Sequence, residues 1–544
     1  MGVRVKDMTP LASLGRGSYV MIDNGDETEN FKFDLGTALQ REAELPDLYD
    51  SASGRYVGIG QWMQSQRNGK IYGVRIPKYS ASQGTACTKV GANAGLTITP
   101  ATATDPGSDG YKDEFPFMGW DANGGADTDG KPYVTALRLY DTAFSLTGSN
   151  GEVVRMAPVL YWRWREFSEY WLLEICDTWL EGFAPQPGAK LPDGSLREFM
   201  LYAKYAGCKG SDGYMHSWSG RPLWNREVSH NSLVTQCRTA STGYSGKSIA
   251  DDWYIKTMFL LKYATKNSQS VFTGCTGYTT QAYVTVAEVA TSRVIISKTD
   301  AAGLLVGSTM MLGTRAGGSS DRNRADMHDV FDALVIRAIE EYDTNNAAVY
   351  FDTTATWDTA TTYMLSTAPW HSGCLDSVQG TDGTITAAGR TNSKEPFLLQ
   401  GIECMLGAYE VVGDVMLYSG TDGVEVYVNY DSKNEKSSYD STVYTDTGKA
   451  LVVQASGGWV YGTDVMNAGG LLVQAGSGAD SSHGMCDGHY QSGSASNGWR
   501  ELLLGGALLN VGAAGLWCDA SSNGLSSADW IIASRLSLTG RTAA

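Results

Sequence analysis

The chain has 544 residues, more than one hydrophobic core usually organises, so about two to four domains are expected. Charged residues make up only 19%, while glycine (64), tryptophan (15) and tyrosine (29) are plentiful, a balance that favours β-rich domains with long ordered loops. A formal charge of −17 repels phosphate backbones and anionic lipid, so neither a nucleic-acid partner nor membrane insertion is expected.

The opening "MGVRVKDMTPLASLGRGSYV" lacks an apolar core flanked by a cleavage site, so no secretory leader is expected. No apolar run reaches the ~20 residues that span a bilayer. Nine cysteines are scattered without a repeated spacing, which fits packed, reduced thiols in a chain assembled in a cytosol.

Residues 1–60 are expected to form a small attachment or oligomerisation module. "GSYVMIDNGDETENFKFDLG" predicts a hairpin, with one strand at Tyr19–Asp23, a turn at Asn24–Gly25 and a second strand near Phe31–Phe33. One hairpin is not stable alone, so this module should pair with other copies or with another protein. Residues 61–150 alternate short strands ("KIYGVRIP", "GLTITPAT", "PYVTALRLYD") with glycine-rich loops and are expected as a small β-rich module. Within them "DANGGADTDGK" superficially resembles a calcium loop. The position that needs glycine holds Ala126 and the twelfth holds Pro132, so a solvated turn is expected.

From 151 onwards the residues are expected to form one large domain. Val153–Ile175 is almost unbroken in β-branched and aromatic residues and predicts long paired strands. "GFAPQPGAKLPDG" follows as an ordered loop. "SIADDWYIKTMFLLKYATKNSQS" predicts a helix, with Ser248 as N-cap, Asp251 three positions on and Asp252 at the positive end of the dipole. Tyr254, Met258 and Leu261 form its stripe, widened by Ile255 and Phe259, so the helix should be largely buried. Residues 277–370 are expected as a β insertion, in which "ALVIRAIEEYDTNNAAVYFD" is a hairpin turning at Thr344–Asn346.

The end of the chain, "GGALLNVGAAGLWCDASSNGLSSADWIIASRLS", has a different character. Gly505, Gly506, Gly512, Ala513, Gly515, Leu516, Trp517, Ser526, Trp530 and Ser534–Arg535–Leu536 read as a frame. Between them stand residues without pattern: Leu509, Asn510, Val511, Ala514, Cys518, Asp519, Ser521, Asn523, Ser527, Asp529 and Ile531. Glycines let such a backbone turn freely, and large anchors bury enough area to hold it whatever the neighbours become. Leu509, Val511, Cys518, Asp519 and Ile531 are therefore expected to point outward together on one face.

Motifs for chemistry are weak. "HGMCDGHY" brings His483, Cys486, Asp487 and His489 together, but no second pair completes a closed zinc site, so a polar loop is expected. No phosphate-binding glycine loop or serine nucleophile elbow occurs, and no pair of carboxylates stands out for glycoside hydrolysis. The expectation is a protein without catalytic residues, metal or cofactor.

Several segments in order resemble bacteriophage tail proteins carrying a C-type lectin fold of the formylglycine-generating-enzyme type. They are "VRMAPVLYWRWREF", "GFAPQPGAKLPDG", "LYAKYAG" with "SWSGRPLW", "GYSGKSIADDWYI", "PFLLQGIECMLGAYEVVGD" and the terminal "GWRELLLGG" with "AGLW" and "SRLS". The ending also resembles the variable region of proteins diversified by retroelements, whose mutated positions often descend from asparagine codons. The resemblance implies an α+β fold, in which a C-type lectin-like domain over 151–544 carries a β insertion and a variable region at about 500–537, after small β-rich N-terminal modules. It implies a tail-tip receptor-binding protein of the virion, assembled in the host cytoplasm. Its partners would be a bacterial cell-surface receptor and other tail proteins, and it would be a homotrimer by family analogy. The related oxidases use two closely spaced cysteines near the chain end; here Cys518 stands alone. A tailspike-like polysaccharide depolymerase and a structural tail or baseplate component are the alternatives. Protein, glycan and teichoic acid all stay open as the receptor.

Overall fold

The computed structural model describes residues 44–538 apart from 192, 238–243, 316, 387–391, 422, 431–434, 453–455 and 494–496, together with strands Tyr19–Ile22 and Phe31–Asp34. Those two strands pair antiparallel, Tyr19 opposite Asp34 and Ile22 opposite Phe31. The Asn24–Gly25 turn lies outside the described residues.

The β-branched and aromatic run 153–175 feeds two different sheets. Glu152–Ala157 lies in a six-stranded sheet between Trp120–Ala126 and Met200–Ala203, and the C-terminal strand Leu536–Ser537 joins the same sheet. Tyr161–Glu166 and Tyr170–Cys176 pair in a five-stranded sheet, continued by Tyr72–Pro77 and Thr88–Gly91. Residues 61–150 thus share both of their larger sheets with later strands, and Leu45, Ile59 and Trp62 pack in one core with Leu503 and Leu536. The segment expected as a solvated turn is for the most part the largely buried strand Trp120–Ala126, because it pairs on both edges within the sheet; only its end is a turn, in which the Asp127 carboxylate accepts from the backbone N–H groups of Asp129 and Lys131.

Helix Ile249–Tyr263 begins where its cap residues dictate: Ser248 Oγ accepts from Asp251 N at 3.1 Å, and Asp251 Oδ2 accepts from Ser248 N at 3.0 Å. It is buried almost throughout, because Trp253, Tyr254, Met258, Phe259 and Leu261 meet Tyr72, Leu173, Tyr202, Phe397 and Trp517 in one core. The remaining described α-helices, Ile59–Ser65, His230–Gln236 and Lys298–Ala301, are no longer than 7 residues. None of the described helices is long and apolar enough to cross a membrane.

Strands from 281–368 form a sheet of their own, with neighbours in the order Gln281–Tyr283, Met364–Ala368, Thr309–Gly313, Phe331–Glu341, Asn346–Phe351 and Arg293–Ser297. A bridge from Val286 to Ile295 draws its ends together. Phe331–Glu341 and Asn346–Phe351 form the expected hairpin. The core of this sheet takes in Leu508 and Trp530 from the end of the chain.

The expected α+β fold with a C-type lectin-like domain is not what forms. The molecule is mostly β, 38% strand and 10% helix, built as a sandwich and a half-barrel. The physical reason lies in 402–533, where strands Tyr409–Gly420, Gly423–Asn429, Tyr444–Ala450, Ser456–Asn467, Leu471–Ala475, Gly488–Gly493, Gly498–Leu504, Asp519–Ala520 and Ile532–Ala533 make a nine-stranded sheet. One apolar side of it buries Val415, Val426, Leu472 and Leu502 with Ile249, and Val465, Leu471 and Val473 pack on helix Ile249–Tyr263, so the single long described helix is covered by a large sheet and the strands dominate the fold.

Candidate functional site

The site is set by the register of four strands. Leu503 faces Ala520, Ala520 lies beside Tyr490 in a parallel pair, and Tyr490 faces Trp459. Side chains alternate along a strand, so Trp459, Tyr490, Ala520 and Leu503 form one row while His489, Asp519 and Leu504 take the opposite face. The row is the floor and wall of an open depression of about 350 Å³, completed by Tyr409, Leu509, Asn510, Ser522, Asn523, Asp529, Ile531 and Ile532. Trp459 and Tyr490 are 39% and 37% exposed, with ring centroids 5.2 Å apart.

Loops bring the rim there by specific contacts. After strand Gly498–Leu504 the chain reverses through Gly505 and Gly506, both at φ +89°, a conformation that side chains with a Cβ rarely adopt. Asn510 Oδ1 accepts from Ala507 N at 2.7 Å, and Leu508 N donates to Gly407 O at 3.0 Å. Farther on, Gly515 at φ +143° lies so close to the Asp487 carboxylate that a Cβ there would collide with it.

Frame residues are held from below. Trp517 is fully buried, its backbone N–H donates to Asp487 Oδ2 at 2.9 Å, and the Lys256 ammonium stands 5.4 Å from its ring. Trp530 is buried under the Arg322 guanidinium, 4.9 Å from the ring, and its carbonyl accepts from Asn225 Nδ2. Arg535 is buried against Glu410 and also donates to the carbonyls of Glu403 and Ala203. That pairing holds the Glu410 carboxyl down to about 2.

The eleven irregular positions do not behave as one group. Leu509, Asn510, Asn523, Asp529 and Ile531 line the depression. Val511 is 62% exposed outside it, and Ser527 is half-buried in a turn closed by its N–H to Gly524 O. Ala514, Cys518, Asp519 and Ser521 are buried, which corrects the expectation of a common outward face. Ala514 packs against Gly506, Cys518 joins the core beside Leu503 and Ala520, and strand alternation turns Asp519 and Ser521 inward.

Inside, those last two meet a residue from the "HGMCDGHY" segment. His489 Nδ1 is hydrogen-bonded to Asp519 Oδ1, and its Nε2 lies 3.0 Å from Ser521 Oγ. The order Ser–His–Asp matches a nucleophilic triad. Here all three are at most 1% exposed, they face away from the depression, and Ser521 N is committed to Tyr490 O at 2.8 Å. The arrangement ties 519–521 to strand Gly488–Gly493. The rest of the segment disperses: His483 pairs with Asp480 at the surface, while Asp487, pushed up by burial to about 8, accepts from Ser268 and Trp517. Among the described residues no group of three or more His, Cys, Asp or Glu side chains is placed to hold a metal ion.

Among the described residues, charge at the rim comes from one residue. Asp529 is half-buried, desolvation raises its carboxyl, and its Oδ1 has no hydrogen-bond partner. Beneath the rim Glu501, raised to about 8 by burial, accepts from His230 N at 2.9 Å and steadies the neighbourhood of Asn523. Trp459 and Tyr490 drew no functional reading from the sequence. Their signal is the pair of short runs "GWVYG" and "GHYQS", strands in which an aromatic ring recurs among small residues. A scan of protein-family models gives no match to this chain, and a search of curated proteins gives none either.

Proposed function

We propose that this chain is a binding protein that takes its ligand noncovalently in the depression between Trp459, Tyr490 and the 509–531 loops. The observation that carries the reading is convergence. Five positions without sequence pattern, spread from Leu509 to Ile531, meet at one concave surface while Trp517, Trp530 and Arg535 between and behind them are buried. Loops on a rigid scaffold that end in a half-apolar cleft are a general solution for recognition.

With the resemblance of the terminal stretch to tail proteins, the reading is a receptor-binding component of a bacteriophage tail that attaches to a bacterial surface. Retroelement diversification would then act on Leu509, Asn510, Val511, Asn523, Ser527, Asp529 and Ile531 and spare Ala514, Cys518, Asp519 and Ser521. Several copies on one virion would raise a weak single contact to firm attachment. The test is adsorption of virions, or of the purified chain, to bacteria after Asp529→Ala and Leu509→Ala. Loss of attachment with the melting temperature unchanged supports the reading, and unchanged attachment and host range assign the chain a structural role instead. Neighbouring DNA tests the diversification: a near-copy of the 500–537 coding region differing only at adenines, beside a reverse transcriptase, is expected.

A further inference from the structure

We infer that the ligand of this depression is a neutral carbohydrate; the inference rests on the binding role proposed above and names its substrate class. A sugar ring has an apolar C–H face and a rim of hydroxyls, and the depression offers a counterpart to each. Trp459 and Tyr490 line it as partly exposed aromatic rings, inclined at 56° to one another, and the π-face of such a ring attracts slightly positive C–H groups. The same depression is lined by short hydrogen-bonding side chains, Asn510, Ser522, Asn523 and Asp529.

The polar side asks for donors. Asp529 lines the depression, and its carboxylate accepts from the backbone N–H groups of Ile531 and Trp530 while Oδ1 has no partner among the described residues, so acceptor capacity is left over. A sugar hydroxyl donates to such a carboxylate without bringing charge. Among the described residues no lysine or arginine lines the depression, so a phosphate or uronate would meet the Asp529 carboxylate without a cation in the lining to neutralise it. Basic groups do occur nearby, on the other side of the 529–530 segment, where Lys209, Arg221 and Arg226 line a separate hollow of about 400 Å³. Two of these cations are already paired, Lys209 with Glu227 and Arg226 with Asp332, so that hollow offers little net charge to an acidic polymer.

The experiment uses the full chain against printed neutral oligosaccharides of hexoses and N-acetylhexosamines, with polyglycerol phosphate, polygalacturonate and a choline conjugate alongside. At least one neutral glycan is expected to bind, and Trp459→Ala and Asp529→Ala should each weaken it about ten-fold or more, whereas Trp459→Phe retains most of the affinity. Bacteria that capture the chain should lose capture after periodate, which cleaves vicinal diols, and keep it after protease. Absence of binding to every neutral glycan overturns the inference, as does capture abolished by protease alone or a preference for the acidic polymers or choline. If those outcomes appear while Asp529→Ala still abolishes capture, only the ligand class is wrong. Capture indifferent to both alanine variants, each with its fold intact, removes the depression itself.

Discussion

His489 and Asp519 are hydrogen-bonded to each other on the buried face of the same two strands whose outer face carries Tyr490 and Ala520. One strand pair therefore does two jobs: its inner side chains lock the terminal loop to the sheet, and its outer side chains form the binding floor. Replacing His489 with alanine leaves a buried carboxylate without its partner, and a loss of about 2–4 kcal/mol in unfolding free energy is expected by denaturant titration. Ser521→Ala removes a single neutral hydrogen bond and should cost about 1 kcal/mol.

Two aspartates that look alike in the sequence separate in the structure. Asp519 is 1% exposed and bonded inside, whereas Asp529 is half-buried with an unpaired oxygen at the rim. Asp519→Ala should lower the melting temperature and reduce binding only through the fold. Asp529→Ala gives up only the contacts from the Ile531 and Trp530 N–H groups, so it should lower the melting temperature less than Asp519→Ala while weakening binding about ten-fold or more. Differential scanning calorimetry beside a binding isotherm separates the two, and equal melting temperatures for both variants would contradict this assignment.

The frame and the filling should differ sharply in tolerance. Gly515→Ala places a Cβ against the Asp487 carboxylate at a backbone angle that alanine rarely adopts, so about 2–4 kcal/mol of destabilisation is expected. Val511→Ala, at 62% exposure, should stay within about 0.5 kcal/mol. Thermal unfolding of the two variants under one buffer condition measures the contrast.

Buried acids give the stability a pH slope. Asp487 and Glu501 are raised to about 8 and Glu403 to about 7, in each case chiefly by burial. A carboxyl with a raised folded-state pKa contributes stability in full below its unfolded value and loses it as pH rises through the folded value. Stability should therefore fall between about pH 4 and pH 8 on account of these groups. His230, lowered to about 4 by burial, works the other way and removes stability as pH drops below about 6.5. Asp487→Asn keeps an acceptor for Ser268 and Trp517 without the charge. Its melting temperature should gain on the parent progressively from pH 5 to pH 8, and a constant difference would show that Asp487 does not titrate in this range.

Local structure was legible where one short-range rule decides it. The helix at 249–263 announces itself through its Ser248 cap and apolar stripe, and the hairpin at 331–351 through β-branched runs around a turn. The fold class was not, because it depends on which strands find each other across distant parts of the chain, as when Tyr202 pairs with Ser537. Tyr409–Gly420 pairs with Gly498–Leu504, and Glu152–Ala157 with Met200–Ala203; no local period encodes either choice. The site was half legible. Glycines and tryptophans mark the frame, but whether Asp519 faces inward is fixed by its register against His489, thirty residues away in the chain, and Trp459 enters the site only through its pairing with Tyr490.

The most direct measurement is equilibrium binding of the chain to bacteria that capture it, comparing the parent with an Asp529→Ala, Leu509→Ala, Asn523→Ala triple variant of matched melting temperature. The account predicts that capture disappears while the melting temperature and circular dichroism stay the same. Capture at parental affinity by the folded triple variant would contradict it, because the depression would then not be where the ligand binds.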